Sequence, residues 1–350
     1  MARKKIIFVL PTLTAGGAER VISFIAQNLD KNSFDSKLLI LGDESSSAFS
    51  VEGIDLIFFN KKRVLHAVPK LYFFLLREKP DFILSSIGHL NTVLGLLSFF
   101  LGRTKVFIRE ASVVSSMGKY SKRKSRLRGR LAIIAYNRVS GIICQSKDMA
   151  KDFALNYPGV EGKITTIANP LTSKLQLKSV ESDSRTLKVI TIGRLSKEKG
   201  QARLLKILSK LKRDFHYTIL GDGPQKEELL KLADSLGLMG KITFVDHSKD
   251  IQGYLEQNDL FLQGSYVEGF PNTVLESCMV GTPVLAFNVP GGTKEIITHN
   301  ENGFLVEDED SYLECLENHK YIPPAQIRES VISKFEPKKI LGQYENLFKP

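Results

Sequence analysis

Short apolar runs and longer amphipathic stretches alternate along the first half of the chain. Apolar, β-branched runs predict strands, and apolar positions spaced by three or four predict helices. The first run, at 5–10, is followed by Gly16-Gly17 and a helical pattern over 19–29. Further strands are predicted at 36–41, 54–59, 81–86, 105–109 and 141–144, with helices at 67–78, 92–101 and 122–137. This alternation favours a parallel sheet with helices on both faces.

The pattern is interrupted once and then restarts. Residues 173–185 are polar and lack a helical period, and the turn signal Asn169-Pro170 precedes them. Strands then follow at 187–192, 217–220, 242–245, 260–263 and 284–287, with helices at 201–212 and 225–236. We therefore predict an α/β protein of two Rossmann-like domains. Their expected limits are 1–172 and 186–335, with a linker at 173–185 and a C-terminal helix at 336–350 that packs back on the N-terminal domain.

The composition of the chain indicates the cellular compartment in which it is expected. A chain of 350 residues with 43% hydrophobic and 25% charged residues suits two globular domains. Its three scattered cysteines lack the spacing of metal ligands and do not suggest a disulfide framework, which favours a reducing compartment. The apolar run at 93–101 is much shorter than the ~20 residues of a spanning helix, and the run before Pro11 is too short for a signal peptide. We therefore expect a cytoplasmic protein without a transmembrane segment.

Charge is distributed unequally between the two halves. Residues 1–170 contain 26 basic and 13 acidic residues, whereas the remainder contains 23 basic and 25 acidic ones. The whole positive excess therefore belongs to the first half, which predicts an anionic partner for that half.

A basic segment marks where this partner is expected to bind. Residues 119–130, KYSKRKSRLRGR, carry seven basic residues and no acidic one, and the apolar run LAIIAY follows. Such a helix is drawn to anionic lipid, and it suits the diphosphate of a polyprenyl-linked acceptor. A solvated helix face is the simpler interpretation. Nucleic acid is not expected, because no RNA-binding signature or interleaved aromatic pattern accompanies the charges.

Candidate ligand-binding residues follow the strands of the second half. In open parallel sheets, ligands bind beyond the carboxyl ends of the strands. The loop GRLSKEKG follows strand 187–192 and carries Arg194 and Lys199, two cations that suit a diphosphate. Taken alone, the pair is better explained as part of a solvated basic loop.

The segment 264–281 strengthens the case for a site. Glu268 lies in a Gly- and Pro-rich turn, Asn272 is a reasonable N-cap, and Glu276 follows about one helical turn later. A helix N-terminus with free amides is a natural seat for phosphate, and a carboxylate can accept hydrogen bonds from vicinal hydroxyls. The free amides are expected on Thr273, Val274 and Leu275.

These segments together resemble family 4 of the retaining, two-domain group 1 glycosyltransferases, which have the GT-B fold. The family's E-x7-E motif reads EGFPNTVLE at 268–276. GDGP at 221–224, PVLAF at 283–287, PGGTKEII with NGFLV at 290–306 and PTLTAGGAERV at 11–21 occur in the family's usual order. The resemblance covers residues 5–306 and implies two Rossmann-like domains facing an interdomain cleft.

The resemblance also implies roles for these residues. Arg194 and Lys199 neutralise the phosphates of a nucleotide-sugar, most commonly a UDP-sugar. Glu276 holds the ribose, and Glu268 holds the transferred sugar. Gly16 and Gly17 match the family's glycine loop, which approaches donor phosphate and acceptor.

Two further expectations concern cofactors and mechanism. The family retains anomeric configuration by front-face attack, in which the leaving phosphate helps to deprotonate the acceptor. It works without a metal or other cofactor. The acidic DED at 308–310 is accordingly interpreted as an exposed loop rather than a metal site.

One departure from the family concerns the acceptor side. Many relatives carry a histidine after the strand that corresponds to 105–109, whereas this chain has Ala111 in IREAS. Arg109 and Glu110 are candidate acceptor contacts. His89 is a candidate substitute, although a solvent-facing loop histidine explains it more simply.

The sequence thus predicts a retaining glycosyltransferase of cell-surface polysaccharide or glycoconjugate synthesis. The expected acceptor is a lipid-linked or other glycan, and the expected location is the inner face of the cell membrane. Two alternatives remain at this stage. A UDP-sugar epimerase has the same architecture, and a non-catalytic basic module would bind membrane without binding a nucleotide.

Overall fold

The computed structural model describes residues 3–48, 50–116, 126–179 and 186–349. The chain forms two compact units. The first contains Met1–Thr172 and Pro337–Pro350, and the second contains Ser173–Glu336.

The first unit is built on a seven-stranded sheet. Its strands are β1 Lys4–Leu10, β2 Phe34–Ile40, β3 Asp55–Phe58, β4 Phe82–Ser86, β5 Lys105–Arg109, β6 Gly141–Cys144 and β7 Ile164–Thr166. They are all parallel in the order β3-β2-β1-β4-β5-β6-β7. The helices are α1 Gly17–Asn28, α2 Val64–Glu78, α3 Gly88–Leu97, α4 Arg126–Arg138 and α5 Lys147–Asn156.

Burial on both faces explains the apolar runs of this sheet. The last five residues of β1 are fully buried. On α1, the apolar residues Val21, Ile22 and Ile25 form a buried stripe against the strands. Strands covered on both sides are continuously apolar, so parallel pairing follows from the pattern itself.

The C-terminal helix α13, Pro337–Leu347, belongs to the first unit. Its residues Ile340, Leu341 and Tyr344, together with Phe348, lie in the core cluster of this unit. The ring of Phe348 contacts Phe82, Phe107 and Phe34 at centroid distances of 5.4, 5.6 and 6.2 Å.

The second unit has a six-stranded parallel sheet. Its strands are β8 Leu187–Ile192, β9 Phe215–Leu220, β10 Ile242–Val245, β11 Leu260–Gln263, β12 Val284–Phe287 and β13 Gly303–Val306, in the order β10-β9-β8-β11-β12-β13. The helices are α6 Gln201–Leu208, α7 Lys226–Ser235, α8 Ile251–Glu256, α9 Asn272–Val280, α10 Thr293–Ile296, α11 Glu309–Asn318 and α12 Pro324–Phe335.

These two sheets confirm the predicted fold class. Each has a topological switch point, β1 beside β4 in the first unit and β8 beside β11 in the second. Ligand sites are expected beyond the carboxyl ends of these strands.

Residues 173–179, predicted as the first part of a linker, lie against the second unit. The amide of Lys178 donates to Val280 O at 2.9 Å, and Arg328 donates to Leu175 O at 3.0 Å. Residues 180–185 of the same predicted linker lie outside the described residues.

Several elements differ from the sequence prediction at their ends. Helix α2 begins at Val64 rather than at 67, and helix α6 ends at Leu208 rather than at 212. Helix α3 begins four residues earlier than the predicted 92–101, because the left-handed backbone at Ile87 starts the helix at once and a 3₁₀ turn, Ser98–Phe100, ends it. The three-residue edge strand β7 is too short for its alternation to be recognised.

Candidate functional site

The loops after β8 and β11 meet at the switch point of the second sheet. Gly200 has a positive φ of 64°, and a methyl group there would lie 1.9 Å from Gly264 O. Only glycine permits this approach without displacing one of the loops. The contact brings the end of GRLSKEKG next to the start of the segment that carries Glu268.

An ion pair between these loops is the centre of the site. Lys199 Nζ lies 2.8 Å from both carboxylate oxygens of Glu268. The Glu268 side chain is only 7% exposed, the Lys199 side chain is 32% exposed, and Ser265 Oγ donates a further hydrogen bond to the carboxylate. A nearly buried carboxylate held in this way is pre-oriented, while its lysine can reach solvent and any anion bound there.

The Glu268 turn is held by a second glycine contact. The amide of Glu268 donates to Pro290 O at 3.1 Å. Gly291 has φ of 126°, and a methyl group on it would lie 1.6 Å from Glu268 O. The PGG sequence at 290–292 therefore fixes the backbone on which Glu268 is presented.

Helix α9 begins beside this pair, with one correction to the prediction. The N-cap is Pro271 rather than Asn272, which is the first helical residue. The amides of Val274 and Leu275 donate to Pro271 O at 3.1 and 3.3 Å. The prediction that these two amides are free is therefore wrong. The shifted N-cap is the reason, because the backbone carbonyl of an N-cap residue accepts the first helical bonds. Thr273 is the member of this set that lines the pocket.

One small pocket contains part of the predicted constellation. Its lining includes Lys199, Glu268 and Thr273 together with Gly193 and Ser265, at the carboxyl edge of the sheet. Glu276 is nearly buried one turn into α9, where Ser173 Oγ donates to its carboxylate at 3.3 Å. Arg194 is exposed on the loop after β8. The structure thus brings Lys199, Glu268 and Thr273 into direct proximity and does not place Arg194 or Glu276 in that lining.

Arg203, on the first turn of α6, is a site residue that the sequence interpretation missed. Its guanidinium donates to Gly264 O and Ser265 O, and it stacks over the rings of Tyr266 and Phe287 at 4.1 and 3.5 Å from their centroids. It therefore fixes the chain that leads into Glu268. The available signal was a cation in the first turn of a helix, where the macrodipole disfavours positive charge unless a partner compensates.

In the first unit, the glycine loop closes around a carboxylate. Gly17 is the first residue of α1 and Gly16 its N-cap. A methyl group on Gly16 would lie 2.0 Å from Glu19 Oε2, so the carboxylate occupies the space above the glycine. Thr12 Oγ1 donates to Glu19 at 3.5 Å, and burial raises the pKa of Glu19. The sequence interpretation did not single out Glu19, because a glutamate in a first helical turn is common.

A buried charged cluster lies at the carboxyl end of β5. Arg109, 1% exposed, donates to Ser86 Oγ at 3.4 Å and to Asn169 Oδ1, while its Nε has no hydrogen-bond partner among the described residues. Burial raises the pKa of the adjacent Glu110 to about 7, although the amide of Ala111 and the hydroxyl of Ser112 donate to its carboxylate.

His89 and the acidic DED at 308–310 lie outside the two clusters described above. His89 is exposed on the first turn of α3. The acidic DED starts helix α11 and is not the predicted loop. Asp308 is the N-cap, and hydrogen bonds from the hydroxyl and the amide of Ser311, at 2.6 and 2.8 Å, lower its pKa. No cluster of three or more metal-ligating side chains forms within the described ranges.

Most of the basic segment 119–130 lies outside the described residues, because these exclude 117–125; helix α4 begins at Arg126. No helix in the described part of the chain is both long and apolar enough to cross a bilayer.

Two protein families match the chain, one for each half. The family described as Glycosyltransferase Family 4 matches residues 15–173. The family described as Glycosyl transferases group 1 matches residues 173–315, which include the complete E-x7-E motif.

Curated relatives agree with these families. An uncharacterized glycosyltransferase of Haemophilus influenzae is 27% identical over 87% of this chain and 86% of its own length. A Campylobacter jejuni enzyme, N-acetylgalactosamine-N,N'-diacetylbacillosaminyl-diphospho-undecaprenol 4-alpha-N-acetylgalactosaminyltransferase, is 25% identical over 87% of this chain and 86% of the enzyme.

Solved structures share the fold. HepE of Anabaena, in complex with UDP and glucose, has a TM-score of 0.80 and 20% identity, covering 98% of this chain and 99% of HepE. The apo form of the lipopolysaccharide outer core galactosyltransferase WaaB has a TM-score of 0.79 and 17% identity, covering 98% of both chains.

Proposed function

Because the chain belongs to the family 4, group 1 glycosyltransferases, we propose that it transfers a sugar from a UDP-sugar to a lipid-linked glycan with retention of configuration. The observation that carries this proposal is the Lys199–Glu268 pair at the switch point of the second sheet. The product belongs to cell-surface polysaccharide or glycoconjugate synthesis. The lipopolysaccharide core glycosyltransferase LpsD of Rhizobium meliloti, 26% identical over 61% of this chain, supports that assignment.

The donor binds at the carboxyl edge of the second sheet. Lys199 leaves Glu268 and, with the exposed Arg194, neutralises the diphosphate. The amide of Thr273 at the start of α9 adds a hydrogen-bond donor near the positive end of the helix dipole. Glu276 accepts hydrogen bonds from the ribose hydroxyls, and Glu268 accepts those of the transferred sugar.

The chemical step needs no protein base in this proposal. The bond between sugar C1 and the diphosphate oxygen breaks, and the acceptor oxygen bonds to C1 on the same face. The acceptor proton passes to the departing diphosphate, whose developing charge Arg194 and Lys199 stabilise. The reaction therefore proceeds without a metal ion or other cofactor.

The acceptor binds at the first unit. Gly16, Gly17, Arg109 and Glu110 lie at or just beyond the carboxyl ends of β1 and β5. The positive excess of residues 1–170 suits a polyprenyl diphosphate, and the Campylobacter relative acts on an undecaprenol-linked glycan. The basic segment 119–130 attaches the enzyme to the inner face of the cell membrane.

Replacing Glu268 separates donor binding from transfer. Glu268→Gln keeps a hydrogen-bonding group but removes the charge that holds Lys199. We expect UDP binding to be equal or tighter, because Lys199 becomes available to phosphate, and sugar transfer to fall by about a hundredfold. Transfer is measured as UDP released per acceptor glycosylated, with NMR of the product's anomeric proton to show retention. Full transfer by Glu268→Gln would refute the assigned role.

Matched variants complete the test. Lys199→Ala is expected to lose both UDP binding and transfer, whereas Lys197→Ala, a neighbouring exposed lysine on the same 3₁₀ turn, keeps both. Incubating wild type with UDP-sugar alone addresses the epimerase alternative. Formation of an isomeric UDP-sugar without acceptor would contradict the transferase proposal. A product with inverted anomeric configuration would contradict retention.

A further inference from the structure

Large exposed apolar side chains are concentrated on one part of the first unit. Of fourteen such side chains among the described residues, nine lie on α2, the 3₁₀ turn Ser98–Phe100 and α4. These nine side chains, with the basic residues around them, are called the apolar–basic face. The nine are Leu65, Phe73, Leu76, Phe99, Phe100, Leu127, Leu131, Ile133 and Ile134. Phe73, Phe100 and Leu127 are each at least 66% exposed. Exposed apolar groups in such concentration mark an interaction site.

Ring contacts join these elements into one surface. The ring of Tyr72 lies 5.5 Å from Phe73 and 6.4 Å from Phe100 between centroids, which connects α2 to the 3₁₀ turn. The guanidinium of Arg138 lies 5.3 Å from the centroid of Phe99, which connects the turn to α4. On α4, the spacing of Leu127, Leu131 and Ile134 places them on a single helical stripe.

The chain around this face is strongly basic. Between Asp55 and Asp148 there are eighteen basic residues and three acidic ones. Glu78 is paired with Lys5 and Lys37 at 3.4 and 3.2 Å, and Asp81 is paired with Lys4 at 3.4 Å. The third, Glu110, is buried. Two of the three acidic residues are thus paired with lysines outside the stretch and the third is buried, so the stretch keeps a large positive excess.

A cleft beside Phe100 combines both characters. It has a volume of about 600 Å³ and lies at the amino ends of β1, β4 and β5, away from the carboxyl edge. Leu76 and Phe100 form an apolar wall, while Lys79, Arg103 and Lys105 contribute cations. An anionic head group attached to an apolar chain matches this pairing of surfaces.

We propose that the apolar–basic face lies on an anionic lipid bilayer, with its apolar side chains at the acyl boundary and a lipid phosphate in the cleft beside Phe100. The inference deepens the proposed function, on which it rests for the membrane location of the acceptor. Nucleic acid would leave the apolar stripe without a partner, and a second copy of this chain would bring two positive surfaces together. A bilayer satisfies both the apolar and the cationic groups.

Vesicle sedimentation tests the proposal without donor or acceptor. We expect the full chain to bind vesicles of phosphatidylcholine mixed with phosphatidylglycerol and to bind pure phosphatidylcholine much more weakly. Phe73→Ser combined with Phe100→Ser removes two apolar anchors, and Lys79→Gln combined with Arg103→Gln removes two cleft cations. Each pair is expected to weaken partitioning by about tenfold. Met239→Ser and Lys210→Gln, exposed positions of the second unit, are controls expected to leave it unchanged.

The contrary outcomes are equally definite. Undiminished vesicle binding by both double variants would overturn the proposal, as would binding that inorganic phosphate or a short oligonucleotide abolishes while phosphatidylglycerol has no effect. Circular dichroism establishes that the variants are folded. A UDP titration of the same variants separates this inference from the proposed function, because UDP binding is expected to be unchanged in each.

Discussion

Glu110 shows how a single buried carboxyl can be both costly and useful. It is 4% exposed at the end of β5, beside the guanidinium of Arg109. Burial raises its pKa from 4.5 to about 7 against the opposing effects of its hydrogen-bond donors and Arg109. Perturbed carboxyls at the carboxyl edge of a parallel sheet are typical of functional sites, because a protein tolerates the cost of burial there for the chemistry it provides.

The raised pKa predicts a pH-dependent stability. The folded state holds the Glu110 proton more tightly than the unfolded state, so the stability from this group is complete below pH 4.5 and is lost as pH rises toward 7. Glu110→Gln removes this dependence. From pH 4.5 to 8, we expect the unfolding free energy of the variant to gain up to about 3 kcal/mol relative to wild type.

Urea unfolding at pH 5 and pH 8 measures this difference. Glu44→Gln, at an exposed position, serves as the control and should show no such gain. An equal free-energy difference between Glu110→Gln and wild type at both pH values would show that Glu110 is not desolvated.

At the residue scale, the sequence was most informative where chemistry is local. The E-x7-E spacing made Glu268 and Glu276 candidates, and the basic loop made Lys199 one, because the residues of each pattern share a short segment. Arg203 and Ser265 could not be identified in the same way. Arg203 contacts Gly264 O, 61 residues away in the sequence, and Ser265 reaches Glu268 only in the folded turn. Residue type alone predicts neither contact.

At the scale of elements, strand positions were predictable and helix starts less so. Strands β1, β5, β6, β8 and β12 agree with their apolar runs within one residue. The predicted N-cap of α9 was wrong by one position, because Asn272 is a favoured capping residue and Pro271 is not. Helix α3 differed because nothing in the residue type predicts the positive φ of 83° at Ile87, which is unfavourable for a β-branched side chain.

The C-terminal helix α13 carries a prediction at this scale. Phe348 is fully buried among Phe34, Phe82 and Phe107. Phe348→Ala is expected to destabilise the first unit by about 3–5 kcal/mol, because it removes the ring and leaves a cavity. The change is measured by chemical denaturation. Because the chain has no tryptophan, unfolding is followed by the near-UV circular dichroism of its tyrosines and phenylalanines. Lys349→Ala, exposed at the next position, should have little effect, and a loss below about 1 kcal/mol for Phe348→Ala would contradict the assigned packing.

At the scale of the whole molecule, charge and chemistry divide between the two units. The first half of the chain carries the positive excess and the exposed apolar–basic face. The second unit carries the Lys199–Glu268 pair. The sequence predicted two Rossmann-like sheets because each repeats the same alternation. The apolar–basic face was not predicted, since its members come from three separate elements.

The most direct test of the account is a calorimetric titration of the full chain with UDP. We expect wild type to bind UDP, and Arg194→Ala combined with Lys199→Ala to bind at least about tenfold more weakly, because two phosphate-binding cations are lost. Lys197→Ala combined with Lys210→Ala removes the same charge from exposed positions of the second unit and should bind like wild type. The absence of UDP binding by wild type, or equal affinity in both double variants, would contradict the account.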